Sequence, residues 1–201
     1  MKKFALVALL LTIGTVAGRA QESRQDVSIS GSALIEPYVT SSTAVKVSSK
    51  RALGALLSYR FMLTPRGAVE ANYGYDQNAI LYRAPNLPNG NQINTRTQEA
   101  TAAYVFNFNF HKFNPFVEAG GGALFWGKIT NLATTTLDAK SQTTIVGLYG
   151  GGIAYEISPS FDIRAEYRGI VSKVPNFGNT SLTTNKYYNI YNPTIGVAYH
   201  F

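Results

Sequence analysis

The sequence predicts an all-β fold: an eight-stranded antiparallel up-and-down transmembrane β-barrel that follows a cleaved signal peptide. Three observations lead there. The first twenty residues have the layout of an export signal. Beyond them, apolar and polar residues alternate with period two over segments of about ten positions, the mark of strands with two unlike faces. The connections between these segments alternate between short and long.

The export signal comes first. Lys2 and Lys3 make a positive start, residues 4–16 are apolar apart from Thr12, Gly14 and Thr15, and Gly18 and Ala20 supply small residues before a cleavage point. That is a secretory signal peptide over 1–20. The apolar run is short of the roughly 20 residues that a spanning helix needs. The remaining residues, 21–201, fit one domain. The formal charge of +7 drops to +4 once Lys2, Lys3 and Arg19 are removed, so part of the basic character belongs to the signal. Charged residues make up 14% of the chain, well below an ordinary soluble domain, and there is no cysteine to staple an exported fold.

The strands are placed near 27–38, 52–61, 67–76, 97–109, 115–126, 144–157, 161–171 and 190–201. The clearest has Leu53, Ala55, Leu57, Tyr59 and Phe61 on one face and Gly54, Leu56, Ser58 and Arg60 on the other. Phe161, Ile163, Ala165, Tyr167 and Gly169 stand likewise opposite Asp162, Arg164, Glu166, Arg168 and Ile170. Short turns are expected at 63–66, 110–114 and 158–160, and long loops at 39–51, 77–96, 127–143 and 172–189. Membrane barrels combine short periplasmic turns with longer outer loops. In lipid every backbone polar group must be paired within the protein, so such a sheet has to close. Eight strands suffice, with an interior that side chains just fill.

Two details strain the pattern. Pro37 and Pro193 fall in strand segments, and Pro193 predicts that the last ladder begins at or after it or bulges there. The triplets Gly120–Gly122 and Gly150–Gly152 lie on neighbouring strands. Symmetry about a loop centre near Thr135 predicts that positions 121 and 150 face each other, the space inside being filled by Arg164, Arg168 or an aromatic ring.

Further residues carry a resemblance: Pro115-Phe-Val-Glu-Ala-Gly-Gly-Gly122, Arg164-Ala-Glu-Tyr-Arg168 and the C-terminal Ile195-Gly-Val-Ala-Tyr-His-Phe201. With the eight-segment pattern, they make the chain from about Val27 onward resemble the OmpA/OmpX-type outer-membrane barrels, including the opacity-like proteins. The resemblance does not extend to a peptidoglycan-binding domain. It implies a location in the bacterial outer membrane among its lipids and lipopolysaccharide, and a monomer. It also implies that Tyr199 and Phe201 belong to a signal read by the barrel assembly machinery after delivery by periplasmic chaperones.

Aromatic residues fall where interfacial belts are expected. Tyr59, Phe61, Phe106, Phe108, Tyr155, Phe161, Tyr199 and Phe201 mark the periplasmic end; Tyr38, Tyr73, Tyr75, Phe125, Tyr167 and Tyr191 mark the outer end. A soluble barrel would turn these rings inward and its charges outward. Here Arg60, Glu70, Glu99, Glu118, Glu156, Asp162, Arg164, Glu166 and Arg168 all take the face opposite the aromatic one. Buried charges persist only when paired, so these residues are expected to form an interior ion-pair network that plugs the lumen. A narrow ion conduit and a catalytic carboxylate pair are the alternatives. An enzyme is not expected: His111 lies in a turn and His200 beside the terminus, no spacing suggests a metal, and the glycine runs lack a phosphate loop's ending. No cofactor and no nucleic-acid partner are expected.

The outer loops carry Lys46, Lys50, Arg51, Arg83, Arg96, Lys128, Lys140, Lys173 and Lys186. They would meet lipopolysaccharide phosphates, or, in an adhesin-like role, an extracellular polyanion. The reading reached is an outer-membrane barrel with a structural or surface-interaction role.

Overall fold

The computed structural model describes residues 24–40, 46–49, 52–84, 87–128, 140–178 and 183–201. The signal segment 1–20 lies outside them. Ten strands follow in order: β1 (Gln25–Leu34), β2 (Val39–Thr40), β3 (Lys46–Ser49), β4 (Ala52–Met62), β5 (Gly67–Ala84), β6 (Leu87–Asn107), β7 (Phe113–Lys128), β8 (Gln142–Ser158), β9 (Phe161–Lys173) and β10 (Tyr187–His200). Eight of them close a barrel in the order β5-β4-β1-β10-β9-β8-β7-β6, with β6 returning to β5. Every neighbouring pair is antiparallel. The short β2 and β3 extend the outer edge, β3 pairing with the far end of β5.

Alternation sets which way each residue points. On β8, Ile145, Tyr149, Ile153, Tyr155 and Ile157 are exposed on the outer wall, while Val146, Leu148 and Ala154 are buried inside. The same holds for Ile163 and Tyr167 against Asp162, Arg164, Glu166 and Arg168 on β9. The exposed faces together make an apolar band suited to acyl chains. Arginine on this band near the bilayer midplane costs about 2–4 kcal/mol. Ile153→Arg is therefore expected to lower the folding midpoint in lipid vesicles, while Ser160→Arg in a periplasmic turn leaves it nearly unchanged. Equal behaviour of the two would reverse the wall.

Three expectations need correction. The segment 77–96 is not a loop. β5 and β6 continue as one ladder from Gln77–Arg96 to Tyr82–Asn91 and on to Ala84–Leu87. Beyond the membrane both faces of a hairpin can meet water, so the alternation that marks a spanning strand lapses while the hydrogen bonds continue. Secondly, the expectation for Pro193 holds on one side only: toward β1 the regular ladder begins at Thr194, whereas β10 pairs with β9 without interruption from Tyr187 to Tyr199. Its cost falls on the β1 side, where the ladder stops at Ser32–Thr194 and resumes at the Ile35–Tyr191 bridge. The missing N–H would have reached the Ala33 carbonyl, and the Asn192 side-chain amide donates there instead at 3.3 Å. Pro37 lies beyond the end of β1.

The third correction concerns the glycine triplets. Gly121 stands opposite Gly147, and Gly150 opposite Glu118. Residues paired across a ladder share a face, so an odd position on β7 facing outward cannot pair with an even position on β8 facing inward. Parity overrides loop symmetry. The interior space at Gly152 is filled by an aromatic ring: a Cβ there would stand 2.6 Å from Phe116 Cζ, and one at Gly150 would stand 2.8 Å from Glu118 Oε1.

Candidate functional site: the barrel interior

The interior has two unlike halves. The half nearer the periplasm and the middle are built on three buried arginines. Arg60 on β4 donates through Nε to Glu70 Oε2 at 2.6 Å, and its Nη2 lies 2.6 Å from the same oxygen. Arg164 on β9 reaches Asp26 at 3.1 Å, Glu70 at 3.7 Å and Glu166 at 3.9 Å. Arg168, two pleat repeats further out, grips Glu99 with both terminal nitrogens at 2.5 and 3.3 Å and sits 3.5 Å from Glu118 through Nε. It also donates to Asn192 at 3.2 Å. A guanidinium suits such a centre because five fixed donors can serve carboxylates on several strands at once. Phe116 lies inside with them, its ring centre 4.6 Å from the Arg60 guanidinium carbon and 5.9 Å from that of Arg164. Cations over an aromatic face are attracted by its negative π-cloud.

At the periplasmic mouth a cavity of about 170 Å³ opens beneath this network, lined by Asp26, Arg60, Asn107, Asn114, Asp162 and His200 among others. His200 Nε2 lies 2.8 Å from Asp162 Oδ2 there.

The outer half is mainly apolar, with Thr144 and Ser172 buried among the apolar side chains. Leu34, Ile80, Leu124, Trp126, Val146, Leu148, Ile170 and Ile190 pack together across the interior with Val174, Phe177 and Tyr188. Trp126 anchors this layer by donating from Nε1 to Thr144 Oγ1 at 2.8 Å. After β9 the chain turns back over the mouth, and Phe177 is fully buried. Its φ of 51° is left-handed, a conformation costing about 1–3 kcal/mol in a bulky residue. The surroundings hold it: Gln142 Oε1 accepts from the backbone N–H groups of Asn176 at 3.0 Å and Phe177 at 2.9 Å, and Lys140 N–H donates to Phe177 O at 2.9 Å.

The residues expected in an interior network are distributed as follows. Arg60, Glu70, Glu99, Glu118, Arg164, Glu166 and Arg168 come together in ion pairs. Asp162 pairs with His200 at the mouth, apart from the arginines, and Glu156 is half-buried nearby and joins none of these pairs. Asp26 joins the ion pairs although the first strand read from the sequence begins at 27, two residues after β1 does. Its inward parity with Ser28, Ser30 and Ser32 would have revealed it. Asp76, the last position of the third strand read from the sequence, is buried and accepts from Ser32 at 2.9 Å. Phe116 and Trp126 share Glu118's parity and so face inward, unlike the belt rings. Of the basic residues, Lys46 lies on β3, Arg83 and Arg96 on the β5–β6 ladder, and Lys128 and Lys173 at strand ends. Lys140 and Lys186 are exposed in loops. Lys50 and Arg51 lie outside the described residues.

The terminal strand is sealed on both sides, Tyr199 opposing Val27 and Phe161. The Tyr199 ring packs between those of Phe161 at 5.1 Å and Phe201 at 6.0 Å.

Comparison with known proteins agrees with this architecture. The crystal structure of the outer membrane protein OprG from Pseudomonas aeruginosa superposes with a TM-score of 0.62 at 12% identity, covering 90% of this chain and 97% of that one. Neisserial surface protein A gives 0.60 at 16% identity over 89% and 98%. Ail, the attachment invasion locus protein of Yersinia pestis, gives 0.51 at 17% identity over 90% and 100%. These likenesses are of fold. No curated protein matches in sequence. The family model for the outer membrane protein beta-barrel domain matches residues 6–201. With eight strands closed around a charged interior and an apolar wall turned to lipid, the chain belongs to the outer membrane protein β-barrel family and resides in the bacterial outer membrane.

Proposed function

We propose that the protein is a structural and surface-interaction barrel with a plugged lumen, neither an open pore nor an enzyme. One observation carries the reading: the interior is occupied from the middle to the outer mouth by side chains with almost no exposure, Arg164 and Arg168 below, Trp126 and Phe177 above. An ion crossing the barrel would have to part an ion-pair network and then an apolar layer. Single-channel recording in planar bilayers is the test. The expected trace has no sustained open level, and a large steady conductance would overturn the reading.

A surface role is supported by Lys46, Lys140, Lys173 and Lys186, all exposed at the outer end. Their charge complements lipopolysaccharide phosphates and, beyond them, an extracellular polyanion. The Tyr199–Phe201 end serves as the handle for the barrel assembly machinery, to which periplasmic chaperones deliver the chain. Deleting Phe201 is expected to reduce outer-membrane levels in cells while leaving refolding in detergent nearly intact. Normal cellular levels would remove that role from Phe201.

A further inference from the structure

The buried charges of the interior do not balance. Asp26, Glu70, Asp76, Glu99, Glu118 and Glu166 are six buried carboxylates, and Arg60, Arg164 and Arg168 are the three guanidiniums buried among them, leaving an excess of three negative charges among the described residues. The couple of Asp162 and His200 stands apart at the mouth. No strand supplies a remedy: β1 contributes Asp26, β4 Arg60, β5 Glu70 and Asp76, β6 Glu99, β7 Glu118, β9 both remaining arginines and Glu166, and β8 and β10 place no buried charge here.

The deficit has a location. Asp76 bonds to Ser32 and has no guanidinium within ion-pair distance among the described residues. Neither oxygen of Glu118 has a hydrogen-bond partner, although its side chain is wholly buried and Arg168 is 3.5 Å away. Asn72, inward on β5 and 5% exposed, leaves both amide atoms unpartnered beside Thr101, which itself donates to Glu99 at 2.6 Å. A buried amide without partners costs about 1–3 kcal/mol, so an oxygen and a nitrogen left open opposite Thr101, two residues along β6 from Glu99, mark a place that an occupant completes.

We propose that the lumen binds small monovalent cations, alkali ions or protons, among Asn72, Glu99 and Glu118, entering from the periplasmic mouth. Carboxylate, amide and hydroxyl oxygens are hard donors suited to such charges. Among the described residues no three acidic or imidazole side chains converge as a metal cage, which disfavours a tightly chelated divalent ion. The route follows from the asymmetry of the interior: a cavity reaches Arg60 and Arg164 from the periplasm, while the outer half is packed with apolar side chains. The site thus sits above a cavity whose lining ends at Arg60 and Arg164, and the cation reaches it from the periplasm past those two guanidiniums.

A ligand that binds only the folded barrel raises its stability with concentration. The test is the urea midpoint of the mature barrel refolded into vesicles, measured in two arms. In one, potassium or sodium chloride replaces choline chloride at constant ionic strength; in the other, pH is varied in choline chloride alone. The midpoint is expected to rise with alkali ion if that ion is the occupant, or to rise as pH falls if protons are. Glu118→Gln and Asp76→Asn each remove one surplus charge, so each is expected to fold and to flatten the dependence that the parent barrel shows. A midpoint unmoved in both arms, or a dependence that both variants leave at full size, would overturn the proposal. A conducting lumen would contradict the plugged barrel and leave these midpoint measurements standing.

Discussion

Replacing Arg164 by alanine is expected to destabilise the barrel by about 3–5 kcal/mol, the penalty for leaving buried charges without their partner. Arg164 is 1% exposed and, among the described residues, is the one guanidinium that approaches three carboxylates, those of Asp26, Glu70 and Glu166. These sit on β1, β5 and β9, so the side chain ties together walls that no ladder connects directly. Its loss also deepens an interior that already holds more carboxylates than guanidiniums. Arg164→Lys keeps the charge but serves fewer acceptors, and an intermediate loss is expected. Urea or guanidinium midpoints in vesicles give the measure. A loss below about 1 kcal/mol, the scale of an exposed pair, would mean that water reaches the network and that the burial is illusory. The variant is not expected to conduct steadily, because Trp126 and Phe177 close the outer half independently of it.

The wall of this barrel was legible in the sequence because lipid imposes one rule on every outward position. Ile145, Ile153, Ile163 and Val197 must be apolar whatever their neighbours are, so period two shows directly. The interior obeys no single rule. Position 60 is arginine, 116 phenylalanine, 126 tryptophan and 150 glycine, although all face inward, since each fills the space its neighbours leave. Polar inward residues could be recognised by contrast with the wall. Apolar inward residues could not, and the packed outer half therefore left no signal beyond parity.

Strand ends were misplaced for a related reason. The ladder between β5 and β6 runs on through Asn78, Gln92 and Asn94 after it leaves the membrane, where hydrophobic contrast vanishes but backbone pairing continues. Because the third strand read from the sequence ends at position 76, Asp76 falls at its edge and its place in the interior does not show. Register was a separate difficulty. Counting from a loop centre gave Gly121 the wrong partner by three residues, whereas the parity of Glu118 and Gly150, both inward, already required an even offset. Phe177 could not be foreseen, because its burial depends on the Gln142 side chain catching two backbone amides far along the chain.

Trp126→Ala is expected to cost about 3–5 kcal/mol, the usual range for truncating a packed tryptophan. The residue is 1% exposed amid Leu124, Val146, Ile170 and Ile190, and its indole N–H satisfies Thr144. Its ladder partner is Gln142, whose side chain holds Phe177 over the mouth, so the cavity left by truncation lies directly beneath that strained turn. Loosening the layer removes the packing that opposes the strain, and Phe177 is expected to lose protection from amide exchange along with its support. Trp126 is also the only tryptophan in the chain, which makes the unaltered protein its own probe. Because it points inward beside the outward-facing Phe125, its fluorescence is expected to resist both quenching by brominated acyl chains and quenching by acrylamide. Phe125→Trp combined with Trp126→Phe moves the indole to the wall and is expected to restore quenching by the brominated lipid. Strong lipid quenching of the parent protein would place Trp126 on the outer wall and dismantle the apolar layer with it.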